Sequence, residues 1–110
     1  MLENTYTLEN GIKIPKLGLG TWFIDDSEVA EAVREAVKIG YRMIDTAQAY
    51  GNERGVGEGV RTCGIPREDL FVVSKVAAEH KTYEQAMAGM DETLKKMELY
   101  YQDFCRVFAF

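Results

Sequence analysis

Extended apolar segments alternate with segments of helical periodicity along the chain, and this alternation constrains the fold more than any other feature. Strand-like segments begin near residues 17, 41, 70 and 101, with one helix signal between each pair of neighbours. Regular β/α alternation is typical of a parallel sheet with helices packed on it. The pattern alone leaves two architectures open, a doubly wound sheet and a piece of a (β/α)8 barrel.

The chain opens on a different signal. An Asn-Gly dipeptide at 10–11 lies between two short extended runs and suits the positive φ angles of a tight turn, so we predict a β-hairpin over residues 5–14. The strand–helix units follow over 17–99, and the last strand occupies 101–110. No linker divides the sequence, and its length is enough for one domain and too little for two. We therefore expect a single domain over residues 1–110.

Three helices are predicted between the strands. Side-chain oxygens at 25–27 offer N-caps to the first helix, which ends at Gly40. The second helix runs from 52 to 62 and contains three glycines, which weaken it. The third begins at a capping box that opens with Thr82. Behind that box, one apolar stripe at helical spacing predicts the buried face: Tyr83, Ala86, Met87, Met90, Leu94 and Met97.

Charge and composition argue against several classes of protein. The chain has 13 Lys+Arg against 18 Asp+Glu and no basic cluster, which disfavours a nucleic-acid partner. Its longest apolar runs are about five residues, too short to span a membrane. Cys63 and Cys105 make neither a metal-binding spacing nor a disulfide framework. We therefore expect free thiols, no metal site and a cytoplasmic location.

Polar side chains gather where the predicted strands end, and parallel sheets place function at those ends. These residues are Thr21, Trp22, Asp45, Tyr50, Ser74 and Lys75. One edge of the sheet would present Asp45, Tyr50 and Lys75 together. The lysine would stabilise a phenolate, the aspartate would hold the lysine, and such a phenol can donate a proton near neutral pH. Spacing alone favours a structural interpretation instead, an Asp–Lys ion pair beside a packed tyrosine.

The segments around these residues resemble the aldo-keto reductases. Residues 40–47 (GYRMIDTA), followed by Tyr-Gly-Asn-Glu at 50–53 and Val-Gly at 56–57, resemble the family's first signature, with Met43 the one unusual position. Residues 17–22 (LGLGTW) resemble its first barrel strand.

Two further segments extend the resemblance. Residues 64–71 (GIPREDLF), with Ser-Lys-Val at 74–76, resemble the approach to the family's catalytic lysine. The opening hairpin resembles the plug that closes the bottom of the barrel. The resemblance covers residues 5–99 and is greatest to the bacterial diketogluconate-reductase-like branch.

This resemblance implies the N-terminal half of a (β/α)8 TIM barrel, with a β-hairpin, four parallel strands and three helices. A whole barrel needs about 250 residues, so we expect a fragment that lacks most of the cofactor site. Its exposed edges and inner face predict self-association. We expect the isolated chain to show no detectable reduction of carbonyls and no tight binding of NADPH.

The resemblance also implies a chemistry, the NADPH-dependent reduction of aldehydes and ketones to alcohols. Tyr50 would be the proton donor to a small carbonyl substrate, Lys75 would support it, and Asp45 would pair with Lys75. Trp22 and Tyr50 would bind the substrate. The residues expected near the nicotinamide of NADPH are Gly20, Thr21, Trp22 and Asp45.

Two residues depart from the family pattern. The fourth catalytic residue of the family is a histidine that ends the fourth strand, and Phe108 stands in its place. Arg106 is unusual in a strand expected to be buried on both faces. His80 lies in a polar loop and does not replace the missing histidine. Three interpretations therefore stay open: an inactive fragment, a reductase formed by assembly of half barrels, and a non-catalytic degenerate half barrel that acts as an interaction module.

Overall fold

A computed structural model describes residues 5–76, 82–99 and 101, and the backbone of 104–107. Four strands form one parallel sheet in chain order: β3 (Leu19–Gly20), β4 (Met43–Asp45), β5 (Phe71–Val76) and β6 (Phe104–Val107). This order confirms the parallel α/β half barrel. Within the described part of the chain, β3 and β6 each pair on one side only, and self-association through these edges stays a prediction.

The hairpin forms a separate sheet. Strands β1 (Thr5–Thr7) and β2 (Lys13–Pro15) pair antiparallel. In the turn between them Gly11 has a φ of +84°, whereas Asn10 does not have the positive φ predicted for it. Lys13 of the hairpin lines a cleft together with Arg42 and Phe71, at the N-terminal ends of β4 and β5. The hairpin therefore lies across the bottom of the sheet and leaves the carboxyl ends of the strands open.

Three helices pack in a layer against the sheet: α1 (Val29–Ile39), α2 (Glu53–Thr62) and α3 (Tyr83–Met97). Two short 3-10 helices, Gln48–Tyr50 and Arg67–Asp69, precede α2 and β5. Thr82 and Gln85 form the predicted capping box of α3, and Gly40 ends α1 with a φ of 122°. The apolar core between helices and sheet consists of Val29, Val33, Val37, Ile44, Val56, Val60, Leu70, Val72 and Met97.

The glycines of α2 allow its neighbours to approach closely. A Cβ on Gly57 would collide with the backbone of Met97 in α3, and one on Gly59 would lie 2.7 Å from Cβ of Val33 in α1. Glycine lowers helix propensity by about 1 kcal/mol relative to alanine. The glycines of α2 therefore have a second effect besides weakening the helix, because they let α2 pack closely between α1 and α3.

The predicted N-cap of α1 is wrong. Helix α1 begins at Val29 with Glu28 at the N-cap position and no side-chain cap. The backbone carbonyl of Asp25 accepts from the N–H groups of Glu28 and Val29, at 2.9 Å each. The carboxylate of Asp26 instead accepts from the N–H of Gly55 at 2.8 Å, so it caps α2 from outside that helix. The Asp26 carboxylate therefore bonds to a helix distant in sequence, α2, instead of to the adjacent helix α1.

Of the six residues predicted to form the buried face of α3, only Met97 is buried; three are half-buried and two are exposed. Tyr83 is 78% exposed and Met87 is 40% exposed. The buried residues of α3 are Gly89, Thr93 and Met97, because the glycine-lined surface of α2 and polar partners beneath it set the inward face. Phe108, which stands where the family has a histidine, and His80, which is predicted to lie in a polar loop, are both outside the described residues. Strand β6 covers 104–107 of the predicted 101–110.

Among the described residues, no helix is long and apolar enough to cross a bilayer. The same part of the chain contains no cluster of three metal-ligating side chains. Cys63 is a free, half-buried thiol.

Candidate active site

Asp45 and Lys75 form an ion pair at the carboxyl ends of two adjacent strands. Asp45 is the last residue of β4, and Lys75 lies near the end of β5. The Lys75 ammonium donates to Oδ1 of Asp45 and, at 2.8 Å, to the carbonyl oxygen of Thr46. Lys75 is only 7% exposed, whereas its carboxylate partner is open to solvent on one side. A buried ammonium needs such partners, since desolvation of an unpaired charge is very costly.

Tyr50 lies over this ion pair. It ends the 3-10 helix Gln48–Tyr50, and Gly51 follows with a φ of +70°. The ammonium of Lys75 lies 5.2 Å from the centroid of the Tyr50 ring, within the range of a cation–π contact. The structure thus brings together the three side chains that the sequence places at one edge.

The contact between Tyr50 and Lys75 differs in one respect from the expected arrangement. A proton-donor role suggests a hydrogen bond between the phenol and the ammonium, and the described part of the chain shows none. The ammonium instead faces the ring, because its bonds to Asp45 and Thr46 direct it toward the strand ends. Hydrogen bonds in unliganded sites are often long or misaligned and tighten on substrate binding.

Thr21 and Asn52 fix the backbone around Asp45. The N–H and hydroxyl of Thr21 donate to the carbonyl oxygen of Asp45, at 3.1 and 3.0 Å. The amide of Asn52 donates to the carbonyl oxygens of Thr21 and Ile24, at 2.8 and 3.0 Å, and its oxygen accepts from the hydroxyl of Thr46. Thr21 is fully buried, so its side chain holds Asp45 in place. A contact of Thr21 with a cofactor stays a prediction.

Trp22 lines the mouth of the site. Trp22 and Tyr50 border one open cleft of about 320 Å³, together with Phe23 and Ala49. The rings of Trp22 and Phe23 are stacked with centroids 4.4 Å apart, and both are largely exposed. Gly20 lies at the end of β3, and a Cβ there would meet nothing within 4 Å, so space is open beside Asp45.

Sequence reasoning missed Phe23 and the role of Asn52. Phe23 has a φ of +67°, a conformation that bulky residues rarely adopt and that occurs at functional sites. Nothing in the sequence signals it. Asn52 stands at the N-cap position of α2, where a local cap is the ordinary expectation, but it makes no such cap. The position of Asn52 before a helix could have marked this residue as important. Its partners, the carbonyl oxygens of Thr21 and Ile24, could not have been predicted.

Two carboxylates, Asp25 and Asp26, line the cleft, and Asp26 is paired with Arg54. Desolvation raises the pKa of Asp26, but the hydrogen bonds from Arg54 at 2.6 Å and from Gly55 outweigh it and hold that pKa below the ordinary value. The Asp26 carboxylate correspondingly raises the pKa of Arg54. A larger groove of about 1030 Å³ runs along α3, but it contains none of the site residues, so size does not mark the site.

Fold and site together define a class: half of a parallel α/β barrel, with a buried lysine, an aspartate and a tyrosine at the carboxyl ends of its strands. The aldo/keto reductase family model matches residues 16–107. The chain belongs to the aldo-keto reductase family.

Several known members of this family are similar to the chain. It is 46% identical over 101 residues to 9,11-endoperoxide prostaglandin H2 reductase of Trypanosoma cruzi, covering 91% of the chain and 36% of that protein. It is 43% identical over 103 residues to glyoxal reductase of Bacillus subtilis, covering 93% of the chain and 37% of that protein.

A solved structure shows the same fold. An aldo/keto reductase from Brucella melitensis superposes with a TM-score of 0.90 at 42% identity, covering 94% of the chain and 40% of that protein. The chain spans little more than a third of the length of the two curated relatives, the reductases of Trypanosoma cruzi and Bacillus subtilis. The branch of the family to which it belongs stays a prediction.

Proposed function

We propose that this chain supplies the proton-donating part of an NADPH-dependent reductase site for small aldehydes or ketones. The observation that carries the proposal is the buried ammonium of Lys75, bonded to Asp45 and facing the ring of Tyr50. Tyr50 donates its phenolic proton to the carbonyl oxygen as the carbonyl carbon is reduced. The negative charge that remains on Tyr50 is stabilised by the adjacent ammonium.

Asp45 has two roles in this proposal. Its carboxylate holds the ammonium of Lys75 at the strand ends, which keeps a positive charge next to Tyr50. Its carbonyl oxygen accepts two hydrogen bonds from Thr21, which fixes the carboxyl end of β4. Asp45 therefore positions Lys75, and only Tyr50 contacts the reacting oxygen.

The open side of the site fits a small substrate and one end of a cofactor. A cleft of about 320 Å³ lies at the small end of the usual range for ligand sites. Trp22 offers an exposed aromatic face there, and the open space at Gly20 allows a flat ring to approach Asp45. NADPH supplies a hydride when bound. We propose that Gly20, Thr21, Trp22 and Asp45 lie near its nicotinamide.

The relatives that act as reductases are about three times longer than the matched segment, so the proposal concerns a site completed by further sequence. A direct test joins residues 1–107 to the C-terminal portion of Bacillus subtilis glyoxal reductase that the chain does not match; we call this fusion the reconstituted reductase. We expect carbonyl-dependent oxidation of NADPH with glyoxal or a simple aldehyde. A folded fusion that binds NADPH and shows no carbonyl-dependent oxidation would contradict the proposal.

A further inference from the structure

A second polar network lies on the helix side of the sheet, opposite the candidate active site. Its four members are linked by hydrogen bonds between the sheet, the Tyr50 turn, α2 and α3; we call them the outer network: Gln48, Glu53, Ser74 and Thr93. Oε2 of Glu53 accepts from the hydroxyls of Ser74 at 2.6 Å and Thr93 at 2.8 Å. Glu53, Ser74 and Thr93 are each at most 3% exposed.

Both partners in the Tyr50–Lys75 contact are attached to this network. Ser74 precedes Lys75 in β5, and alternate side chains of a strand point to opposite faces, so Ser74 holds the strand from outside while Lys75 points into the site. Gln48 begins the 3-10 helix that ends at Tyr50. Its amide donates to Oγ1 of Thr93 at 3.2 Å and to the carbonyl oxygen of Gly89 at 2.8 Å.

Thr93 is the junction of these two attachments. Its hydroxyl donates to Glu53 and accepts from Gln48, which uses its single proton and one lone pair. The turn that carries Tyr50 and the strand that carries Lys75 are therefore both bonded to side chains that meet at α3. Within the candidate site, Lys75 is joined to this segment by its hydrogen bond to the carbonyl oxygen of Thr46, just before the turn, and by its cation–π contact with Tyr50.

Packing alone does not account for Glu53. Among the described residues, its Oε1 is buried without a hydrogen-bond partner. An unsatisfied buried oxygen typically destabilises a fold, and an apolar side chain of similar volume is often neutral or stabilising in such a place. A buried carboxylate in this position is therefore better explained by the geometry that it imposes on Ser74 and Thr93.

We infer that the outer network is a positioning unit that holds the Tyr50 ring over the Lys75 ammonium. This inference rests on the proposed function, since the distance between these groups matters for catalysis only if they act together. None of the four side chains contacts the substrate in this account. They act through the backbone of the turn and of β5.

The test reads the position of Lys75 without turnover. The 110-residue chain is labelled with 13C at the lysine Cε, and the Lys75 resonance is assigned with Lys75→Arg. Because the Tyr50 ring faces the ammonium, the ε protons of Lys75 carry a ring-current shift, whose size is the change seen in Tyr50→Leu. Gln48→Ala cuts the attachment of the turn, and its side chain is half-buried, so the core stays intact.

We expect Gln48→Ala to remove most of that ring-current shift. Thr93→Val leaves the bond from Gln48 to Gly89 and should remove part of the shift, which Thr93→Ser restores. Gln85→Ala is the matched control, since it weakens the cap of α3 outside the network. In the reconstituted reductase, Gln48→Ala should lower kcat about tenfold to a hundredfold with KM for the aldehyde unchanged. An unchanged Lys75 resonance in Gln48→Ala would overturn the inference.

The two proposals fail in different ways. If Tyr50→Phe leaves turnover intact, the proposed function fails, whatever the Lys75 resonance shows. If Tyr50→Phe abolishes turnover but Gln48→Ala changes neither the resonance nor kcat, the proposed function stands and the positioning unit is wrong. If the chain alone gives no dispersed lysine spectrum, the same resonances are recorded in the reconstituted reductase.

Discussion

The ammonium of Lys75 and the ring of Tyr50 lie 5.2 Å apart, although 25 positions separate the two residues in sequence. One comes from β5 and the other from the turn after β4, and adjacent parallel strands bring both to the same edge. The lysine is buried and the tyrosine borders an open cleft. This arrangement places a positive charge beneath a phenol that a small molecule can reach.

Removal of the Lys75 charge should abolish most of the activity. In the reconstituted reductase, Lys75→Met keeps the length of the buried side chain and loses the ammonium. We expect kcat/KM for the aldehyde to fall by about 10²–10⁴, the usual contribution of acid–base groups. Steady-state kinetics measure this, with the exposed Lys95→Met as the matched control. Equal losses in the two variants would show a non-specific effect.

Asp26→Asn should destabilise the chain in a pH-dependent way. The asparagine amide oxygen can still accept from Gly55, but the charge that pairs with Arg54 is lost, so we expect a loss of a few tenths to about 1 kcal/mol in the free energy of unfolding near neutral pH. Asp25→Asn is the control, because the contacts of Asp25 are made by its backbone. Urea unfolding of the two variants and the wild type provides the comparison.

The sign of the pH effect follows from the lowered pKa of Asp26. Its stabilisation is fully present above the ordinary carboxyl pKa of about 3.9 and disappears as pH falls through the lower pKa of the folded state. The difference in unfolding free energy between wild type and Asp26→Asn should therefore be constant between about pH 5 and 7 and shrink below about pH 4. A difference that grows on acidification would contradict this assignment.

Gly57→Ala should destabilise the protein even though alanine is the better helix former. The propensity gain is about 1 kcal/mol. Against it, a Cβ at Gly57 meets the backbone of Met97, which cannot move like a side chain, and overpacking typically destabilises by about 1–3 kcal/mol. We expect a net loss, measured by thermal or urea unfolding. Gly20→Ala, where space is open, should be close to neutral.

The isolated chain should bind NADPH poorly. The cleft of about 320 Å³ accommodates one end of a dinucleotide, and distant contacts supply much of the binding energy of a cofactor. Loss of about 4 kcal/mol of such contacts weakens affinity about a thousandfold. Fluorescence titration of the 110-residue chain with NADPH should show no saturation in the micromolar range. Micromolar affinity would show that the chain assembles a site alone.

The sheet and the candidate site could largely be predicted from the sequence. The alternation of segments sets the strand order, and parallel strands bring Asp45 and Lys75 to one edge. The inward face of α3 could not be predicted from the sequence, because it depends on the glycine surface of α2 rather than on the periodicity of α3 itself. The capping of α2 by Asp26 was missed for the same reason, since its partner is 29 positions away.

The details of the site show the same limit. The stacked pair of Trp22 and Phe23 depends on a positive φ that nothing in the sequence signals. The bond between Glu53 and Ser74 crosses from the helix layer to the sheet, and residue types alone do not specify such a contact. The ends of the predicted strands identify which residues meet at the site. The orientation of their side chains depends on contacts on the helix side of the sheet, such as the bond between Glu53 and Ser74.

The most direct measurement is the turnover of Tyr50→Phe in the reconstituted reductase. This change removes the phenolic proton and keeps the ring that faces Lys75. We predict that kcat for aldehyde reduction falls by about 10²–10⁴ while NADPH binding is retained, and that the exposed Tyr83→Phe behaves as wild type. If Tyr50→Phe reduces the aldehyde at the wild-type rate, Tyr50 is not the proton donor and the account is wrong.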